Sequence, residues 1–348
     1  MKDYIQYTFQ VFANLVSLGY ITVLASLLIA NAMLKSQFSV MALITTLNIF
    51  LFLPMVGVII FAVLWRTKIG LLCALIGGAL LYWYHPFIPQ RPFEGLTTTE
   101  ENQLKTLSFN LGWYTTPPDL LGQMLATQEA DIVAVQEIHR VAIDLFGTQL
   151  AEQYPYQILD SNTATSGLLS KHPIIEYEWL YPEGGRAMLH AVIDWEGQPI
   201  HVYSVHLLPP PLRWYDARHL DLPPELNMDY LPRGLNEWQQ KKETNFLINH
   251  AGTIQDPVII MGDFNMSDQS ESYALLRNHF RDAYRDGGWG LGFTFPNETT
   301  VRGIRVSVPL IRIDYIFYTH QLDIIESDVL CFPQRSDHCG ITSSFALP

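Results

Sequence analysis

Residues 131–139 read Asp131-Ile132-Val133-Ala134-Val135-Gln136-Glu137-Ile138-His139. A short run of apolar, mostly β-branched residues bounded by polar ones reads as a strand covered on both faces rather than as one stripe of a helix. The run stops at Gln136-Glu137, and a carboxylate that directly follows a buried strand needs a partner, because burying it alone costs several kcal/mol. The same pattern recurs along the chain. Leu104 to Phe109 ends at Asn110, Ile200 to Val205 at His206, and Pro257 to Met261 is followed by Asp263 and Asn265. The pair Asp337-His338 stands just before the run Ile341 to Phe345, and further strands are expected at 167–170, 187–194 and 313–318. Helices are expected at 118–129 and 236–250, so many strands with few long helices imply stacked sheets carrying helices outside.

Strand ends on one rim of a sheet converge on a single cleft, which lets residues distant in sequence meet there. Carboxylates and amides without a thiolate suit a hard cation such as Mg2+ or Mn2+. Together with histidines they suit attack by water on phosphorus: a metal to neutralise charge, an acid to activate water, and donors to hold oxygens. Each residue also has a plainer reading. Asn110 could cap a following helix, Asp263 with Asn265 could form an Asx turn, and His338 could be packed or lie at the surface. The set taken together favours chemistry. His139, His172, His190, His201 and His219 match no such pattern and are read as ordinary histidines.

The first quarter of the chain has a different composition. Up to Tyr84 its only charged residues are Lys2, Asp3, Lys35, Arg66 and Lys68. Three apolar stretches, Val11 to Leu34, Phe38 to Trp65 and Ile69 to about Tyr84, predict three transmembrane helices, the third marginal in length and the second kinked by Pro54. Trp65, Tyr82, Trp83 and Tyr84 stand at segment ends, where amphipathic rings favour headgroups. The basic loop Arg66-Thr67-Lys68 and Lys2 place those ends in the cytoplasm, although Lys35 and Arg91 fall on the other side. Three crossings then leave the catalytic part extracytoplasmic, in a plasma or inner membrane. The expected organisation is a membrane region over 1–85, a Pro- and Thr-rich linker over 86–103, and a catalytic domain over 104–348.

From Glu101 onward the balance is acidic, and the whole chain carries a formal charge of -13. With no Lys/Arg run to release counterions, binding to nucleic acid is disfavoured. Among the three cysteines no CxxC or Cys/His pair suggests zinc; Cys331 and Cys339 would pair in an oxidising compartment, but buried free thiols are the expectation. Asn297-Glu298-Thr299 has the pattern of a glycosylation sequon.

The ordered series LSFNLG, DIVAVQEIH, SGLLSKHPI, VYSVHL, IIMGDFNMS, RIDYIFY and SDHCGI, from Leu104 to the C-terminus, resembles the endonuclease/exonuclease/phosphatase superfamily. That superfamily includes deoxyribonuclease I, abasic-site endonucleases, inositol polyphosphate 5-phosphatases and neutral sphingomyelinases. The resemblance implies a four-layer α/β/β/α sandwich of two packed mixed sheets with outer helices, and a Mg2+-dependent hydrolase. It makes Glu137 the principal metal ligand, with Asn110 beside it and Asp337 near the metal. Asp263 would orient or deprotonate the attacking water, and Asn265 would hold the phosphate or that water. His338, supported by Asp314, would contact the phosphate, while His206 and Arg186 would face the substrate or leaving group.

Between His206 and the helix at 236–250 lies an insertion, Leu207 to Trp238, rich in proline and aromatic residues. It reads either as a lid or lipid-dipping loop, or as a loop packed on its own surface. An apolar anchor, an acidic domain and an apolar insertion favour a phospholipid or sphingolipid substrate held at a lipid bilayer. A membrane-tethered nuclease is the alternative within hydrolases, and a non-catalytic receptor or scaffold the alternative outside them.

Overall fold

The computed structural model describes residues 1–34, 39–91, 103–112, 118–161, 166–216, 230–301, 304–332 and 336–347. Most of the expected linker, with Lys35, His219 and the middle of the insertion, lies outside the described residues. The chain forms two compact units, one of Met1–Pro86 with Pro211–Asn236, the other of Phe87–Pro210 with Glu237–Pro348.

In the first unit, α1 (Lys2–Leu34) is the one helix, among the described residues, long and apolar enough to cross a bilayer. The expectation of three such helices is corrected here. The second apolar stretch breaks into α2 (Ser39–Thr46), a 3-10 turn (Asn48–Phe52) and α3 (Pro54–Leu64), bent by 66°. Pro54 explains part of the break, since it lacks an N–H and is tolerated only in a first helical turn, which is where it stands. The third stretch, α4 (Lys68–Tyr84), has 17 residues, short of the ~20 that a span needs. The polarity of this unit is inverted. Leu15, Val23, Val63, Leu64, Leu72 and Leu75 point outward, whereas Ser17, Asn31, Thr45, Asn48, Thr67 and His85 are buried. Several of these buried groups find partners inside the unit: His85 Nε2 meets Asn48 Oδ1 at 2.7 Å, Thr45 donates to Asn31, and Ser17 Oγ donates to the Ala13 carbonyl at 2.7 Å.

The second unit is built on two six-stranded sheets. The first contains β1 (Leu104–Asn110), β2 (Ile132–Gln136), β3 (Tyr156–Asp160), β4 (Ser166–Ser170), β15 (Asp323–Leu330) and β16 (Gly340–Ala346), ordered β15-β16-β1-β2-β4-β3. The second contains β5 (Ile174–Leu180), β6 (Met188–Trp195), β7 (Gln198–His206), β10 (Val258–Asp263), β11 (Arg281–Asp282) and β14 (Asp314–Tyr318), ordered β11-β14-β10-β7-β6-β5. Two hairpins stand apart: β8 (Leu212–Asp216) with β9 (Tyr230–Leu235), and β12 (Thr299–Val301) with β13 (Ile304–Val306).

Alternation along each central strand makes the layers. Ile132, Ala134, Ile259, Met261 and Ile316 face the other sheet, in a core shared with Leu189, Ala191 and Phe345. Val133 and Val135 face outward against α5 (Pro118–Ala126) and α6 (Arg140–Gln149), meeting Leu121, Leu125 and Phe146. Val258, Ile260 and Phe317 face outward against α7 (Trp238–Ala251) and α8 (Glu271–Arg277), while α9 (Ala283–Gly287) flanks β14 and β15. Strands covered on both faces need apolar residues at every position, which is why these segments read as unbroken runs. Two mixed sheets with flanking helices make the α/β sandwich that the sequence implied.

The β8–β9 hairpin belongs with the apolar helices of the first unit, where β9 lies against α2. Gly234, at φ +149°, brings its backbone so close to that of Ser39 that a Cβ would overlap the Ser39 carbonyl.

Candidate active site

Register decides what meets at the rim. Asp263 ends β10, with His206 opposite it on parallel β7 and Asp314 opposite it on antiparallel β14. In the other sheet Asn110 ends β1 in register with Gln136 of β2, so Glu137 comes next at the same rim. The two sheets meet there: Asn110 Nδ2 donates to Asp263 Oδ2 at 3.0 Å and lies 3.5 Å from His338 Nε2.

The turns beyond these strands set the side chains. Glu137 and Asn265 take left-handed backbone, φ 56° and 51°. That conformation is common for Asn but costs Glu on the order of 1–3 kcal/mol, a strain that collects at functional sites. Asn265 N–H donates to Asp263 Oδ1 at 2.8 Å, and its Nδ2 donates to the Leu207 carbonyl at 2.9 Å and to Asp263 Oδ2 at 3.2 Å. Its amide hydrogens are thus engaged, and what it offers a ligand is the acceptor Oδ1. Gly262, at φ +153°, has no room for a Cβ beside the Val205 carbonyl, which lets β10 approach β7 where Asp263 and His206 pair.

His338 is held from three sides. Asp314 receives its Nδ1 at 3.0 Å, Ser336 Oγ accepts its N–H at 3.0 Å, and the same hydroxyl donates to the Asn110 carbonyl at 2.7 Å. Asn297 ties down the loop: its N–H donates to the Asp337 carbonyl at 2.7 Å, and its Nδ2 to the carbonyls of Phe332 and Ser336 at 3.2 and 3.1 Å. Asn297 is buried with both amide hydrogens donated, so it is a brace and not the sugar acceptor its sequon suggested. Cys331 and Cys339 close this loop as a disulfide, which corrects the expectation of free thiols.

Acidic groups crowd one another at the rim. Among the described residues, Glu137, Asp263, Asp314 and Asp337 lie with Arg186, His206 and His338. Burial and then the Asp314 charge push Asp263 up to about 7. Burial also raises Asp337, with Glu137 adding repulsion. For His338 burial opposes the charge, yet Asp314 and Asp263 outweigh it and push the ring up to about 10. His206 goes the opposite way, held well below its ordinary value by burial, then by Arg186 and His338. Arg186 Nη1 contacts His206 Nε2, and since a guanidinium only donates, that nitrogen carries the lone pair. The lone pair lies 3.5 Å from Asp263 Oδ2 and 3.7 Å from Glu137 Oε1, three electron-rich atoms turned on one another. An oxygen-rich donor set of this kind fits a divalent cation; Asp263, Asp314 and His338 by themselves bring ligand atoms within 4.8 Å of one another.

All nine residues singled out from sequence gather here: Asn110, Glu137, Arg186, His206, Asp263, Asn265, Asp314, Asp337 and His338. Glu243 of α7 was missed. It accepts the Arg186 N–H at 2.9 Å and the Leu208 N–H at 3.1 Å, fixing the chain on both sides of the rim. Gln240, one turn earlier, donates to the Asn265 carbonyl at 2.5 Å. A signal existed: Gln240, Glu243 and Thr244 share the buried stripe of α7 with Leu247, and polar residues on a core-facing stripe need partners there.

Carboxylates and histidines at the strand ends of a two-sheet sandwich define a phosphoesterase or nuclease fold. Residues 107–338 match the Endonuclease/Exonuclease/phosphatase family, and the chain belongs to it. Among solved structures, the endonuclease/exonuclease/phosphatase from Bacteroides vulgatus is 17% identical with a TM-score of 0.52, over 71% of this chain and 99% of that one. A family protein from Leptotrichia buccalis is 19% identical with a TM-score of 0.52, over 70% and 100%. Truncated TDP2 from Caenorhabditis elegans is 15% identical with a TM-score of 0.51, over 70% and 97%. At such identities the likeness is one of fold. No curated protein matches the chain. Members of the family are typically metal-dependent hydrolases of phosphoester bonds.

Proposed function

We propose that this protein is a membrane-anchored, Mg2+- or Mn2+-dependent phosphodiesterase acting on a phospholipid or sphingolipid headgroup. The observation that carries the hydrolase reading is the gathering of carboxylates, amides and two histidines at one rim of the two sheets. In this reading Glu137, with Asn110 and Asp337, holds a divalent cation that supplies charge neutralisation for the phosphate. Asp263, aimed by Asn110 and Asn265, takes the proton of the attacking water, and Asn265 Oδ1 accepts a hydrogen bond from that water. His338, kept protonated by Asp314, donates to a phosphoryl oxygen. Arg186 binds the phosphate, and His206 lines the leaving-group side.

The lipid preference rests on the first unit. Many of its outward side chains are apolar while several of its polar ones are turned inward, the polarity expected of helices in a bilayer. The hairpin that leaves the catalytic chain a few residues after His206 belongs to this apolar unit, so the loop beside the leaving-group histidine is continuous with the anchor. A chain of charge -13 also repels a polyanion. The Cys331–Cys339 bond supports an extracytoplasmic catalytic domain, because such bonds persist in oxidising compartments.

Detergent-solubilised full-length protein is to be assayed against bis(p-nitrophenyl) phosphate with and without EDTA, then against sphingomyelin, phosphatidylinositol and phosphatidylglycerol vesicles and plasmid DNA. Chelator-sensitive hydrolysis with a lipid preferred is the expected result. Turnover that EDTA leaves intact overturns the metal reading, and preferential cutting of DNA replaces the lipid with the tethered-nuclease alternative.

A further inference from the structure

Away from the catalytic rim, a second group of side chains converges on the outer face of the second sheet. Glu178 of β5 stands opposite His190 of β6, and His190 opposite Tyr203 of β7, so the three lie in one row across neighbouring strands. His201 lies two residues before Tyr203 on the same face, and His250 reaches in from the last turn of α7. Glu178 Oε1 is 3.0 Å from His190 Nδ1 and 3.5 Å from His250 Nε2. One ligand atom from each of these residues lies within 4.8 Å of the other two.

Each imidazole also has an outer partner on its far nitrogen. His190 Nε2 meets His201 Nδ1 at 2.9 Å, and His201 Nε2 faces Asp256 Oδ2 at 3.8 Å. His250 Nδ1 meets the Tyr203 hydroxyl at 2.8 Å. Two stacked rings sharing one hydrogen bond cannot both be imidazolium, because one of the facing nitrogens must accept. With the His201 proton on Nε2 toward Asp256, His201 Nδ1 accepts from His190 Nε2–H, and His190 Nδ1 then carries a lone pair for a cation; with the relay reversed, Nδ1–H donates to Glu178 and a cation displaces that proton. The Tyr203 hydroxyl holds His250 Nδ1 in the same way, so its Nε2 faces the same carboxylate.

We infer that Glu178, His190 and His250 form a second metal site, separate from the catalytic one, that takes a divalent transition cation of the zinc type. Two imidazoles and one carboxylate are an established zinc donor set. Tetrahedral bonds of about 2.0–2.2 Å place ligand atoms roughly 3.3 Å apart, close to the spacings found. A carboxylate–histidine relay behind a ligating ring is the usual outer support of such a site. Glu178 is half exposed, at 54% of its side chain, so the fourth position is open to water. The site ties β5, the edge strand of its sheet, to the end of α7.

The test uses full-length protein in detergent, stripped with EDTA and titrated with Zn2+ against a chromogenic chelator in excess Mg2+, with Co2+ absorption reporting geometry. The wild type is expected to bind one equivalent, with the intense visible bands of tetrahedral Co2+. Loss of a direct ligand in His250→Ala or Glu178→Gln should weaken Zn2+ binding at least ~100-fold. The outer-shell variant His201→Ala should weaken it roughly 10–100-fold. Glu137→Gln should keep the equivalent even if the protein hydrolyses nothing, which separates this site from the catalytic reading. Equal Zn2+ binding by the wild type and His250→Ala overturns the inference, as does loss of the equivalent in Glu137→Gln. Circular dichroism of each apo variant reports folding; if His250→Ala unfolds, Glu178→Gln on the exposed carboxylate decides in the same way.

Discussion

Two groups of buried charge sit in the same catalytic unit and are built on opposite terms. Around Arg312, two guanidiniums and two carboxylates close on themselves: Arg312 Nη2 lies 2.6 Å from Asp282 and 3.8 Å from Asp268, and Arg285 pairs with Asp268. Tyr273 adds its hydroxyl to Asp282 at 2.7 Å, and the Arg312 guanidinium stacks 4.6 Å from the centre of the Tyr315 ring. At the rim, among the described residues, carboxylates are turned on one another: the Asp314 charge adds to burial in raising Asp263, and the Glu137 charge adds to burial in raising Asp337. Carboxylates paired with guanidiniums hold the fold, whereas carboxylates that repel one another leave a place for a cation. Burial alone does not mark a functional site; what the buried charge faces does.

The largest effect that tests this difference is on turnover. Glu137→Gln should lower kcat by on the order of 10³- to 10⁴-fold, because it removes the main anchor of a cation asked for several kcal/mol of transition-state stabilisation. Thermal stability in EDTA should fall by less than in Arg312→Met, since the Glu137 side chain is 27% exposed and Arg312 is fully buried. A fall in apo stability as large as that caused by breaking the Arg312 cluster would erase the distinction. Arg312→Met should do the reverse, destabilising by about 3–5 kcal/mol because Asp282 is left charged and buried without its direct guanidinium partner. Chemical denaturation measures it, and the protein that remains folded should keep its kcat.

The next effect is smaller and reads cation binding directly. Mg2+ at 100 times its dissociation constant should stabilise the wild type by about 2.7 kcal/mol, seen as a rise in Tm, because a ligand of the native state alone shifts the equilibrium by mass action. The shift should persist in Arg312→Met and vanish in Glu137→Gln. Mg2+ that leaves Tm unmoved would mean that the rim is closed in the way the Arg312 cluster is.

Much of the rim was legible in the sequence because Asn110, Glu137, His206 and Asp263 stand where an apolar run stops, so strand ends and chemistry coincide; Arg186 and Asp314 came only from the family resemblance. Arg312 and Asp282 were not legible. Their partners come from loops and short helices, and no period of 2 or 3.6 announces a pairing across thirty residues. The meeting of His190, His201 and His250 was invisible for a related reason, since their row exists only through strand register. The apolar stretch of 38–65 passed as one span because hydropathy averages over a window and does not feel the turn at Asn48–Phe52. Cys331 and Cys339 flank the Asp337-His338 turn, and their pairing needed the fold to bring them together.

The smallest effect is a dependence on pH, and it separates the clusters by sign. Arg312 and its neighbours outweigh the cost of burial and hold the Asp282 carboxyl below its ordinary 3.8. A group whose folded value is depressed stabilises fully above its unfolded value and loses that contribution as pH falls through the folded one. For metal-free wild type the part due to Asp282 should therefore be flat from pH 7 to about 4, then decline at no more than about 1.4 kcal/mol per pH unit, the slope for one proton. Asp282→Asn should be less stable throughout yet lack this acid component, so the difference between the two denaturation curves narrows only below pH 4. If it narrows between pH 7 and 5 instead, Asp282 is not held ionised by its guanidiniums, and the balanced cluster is balanced in geometry alone.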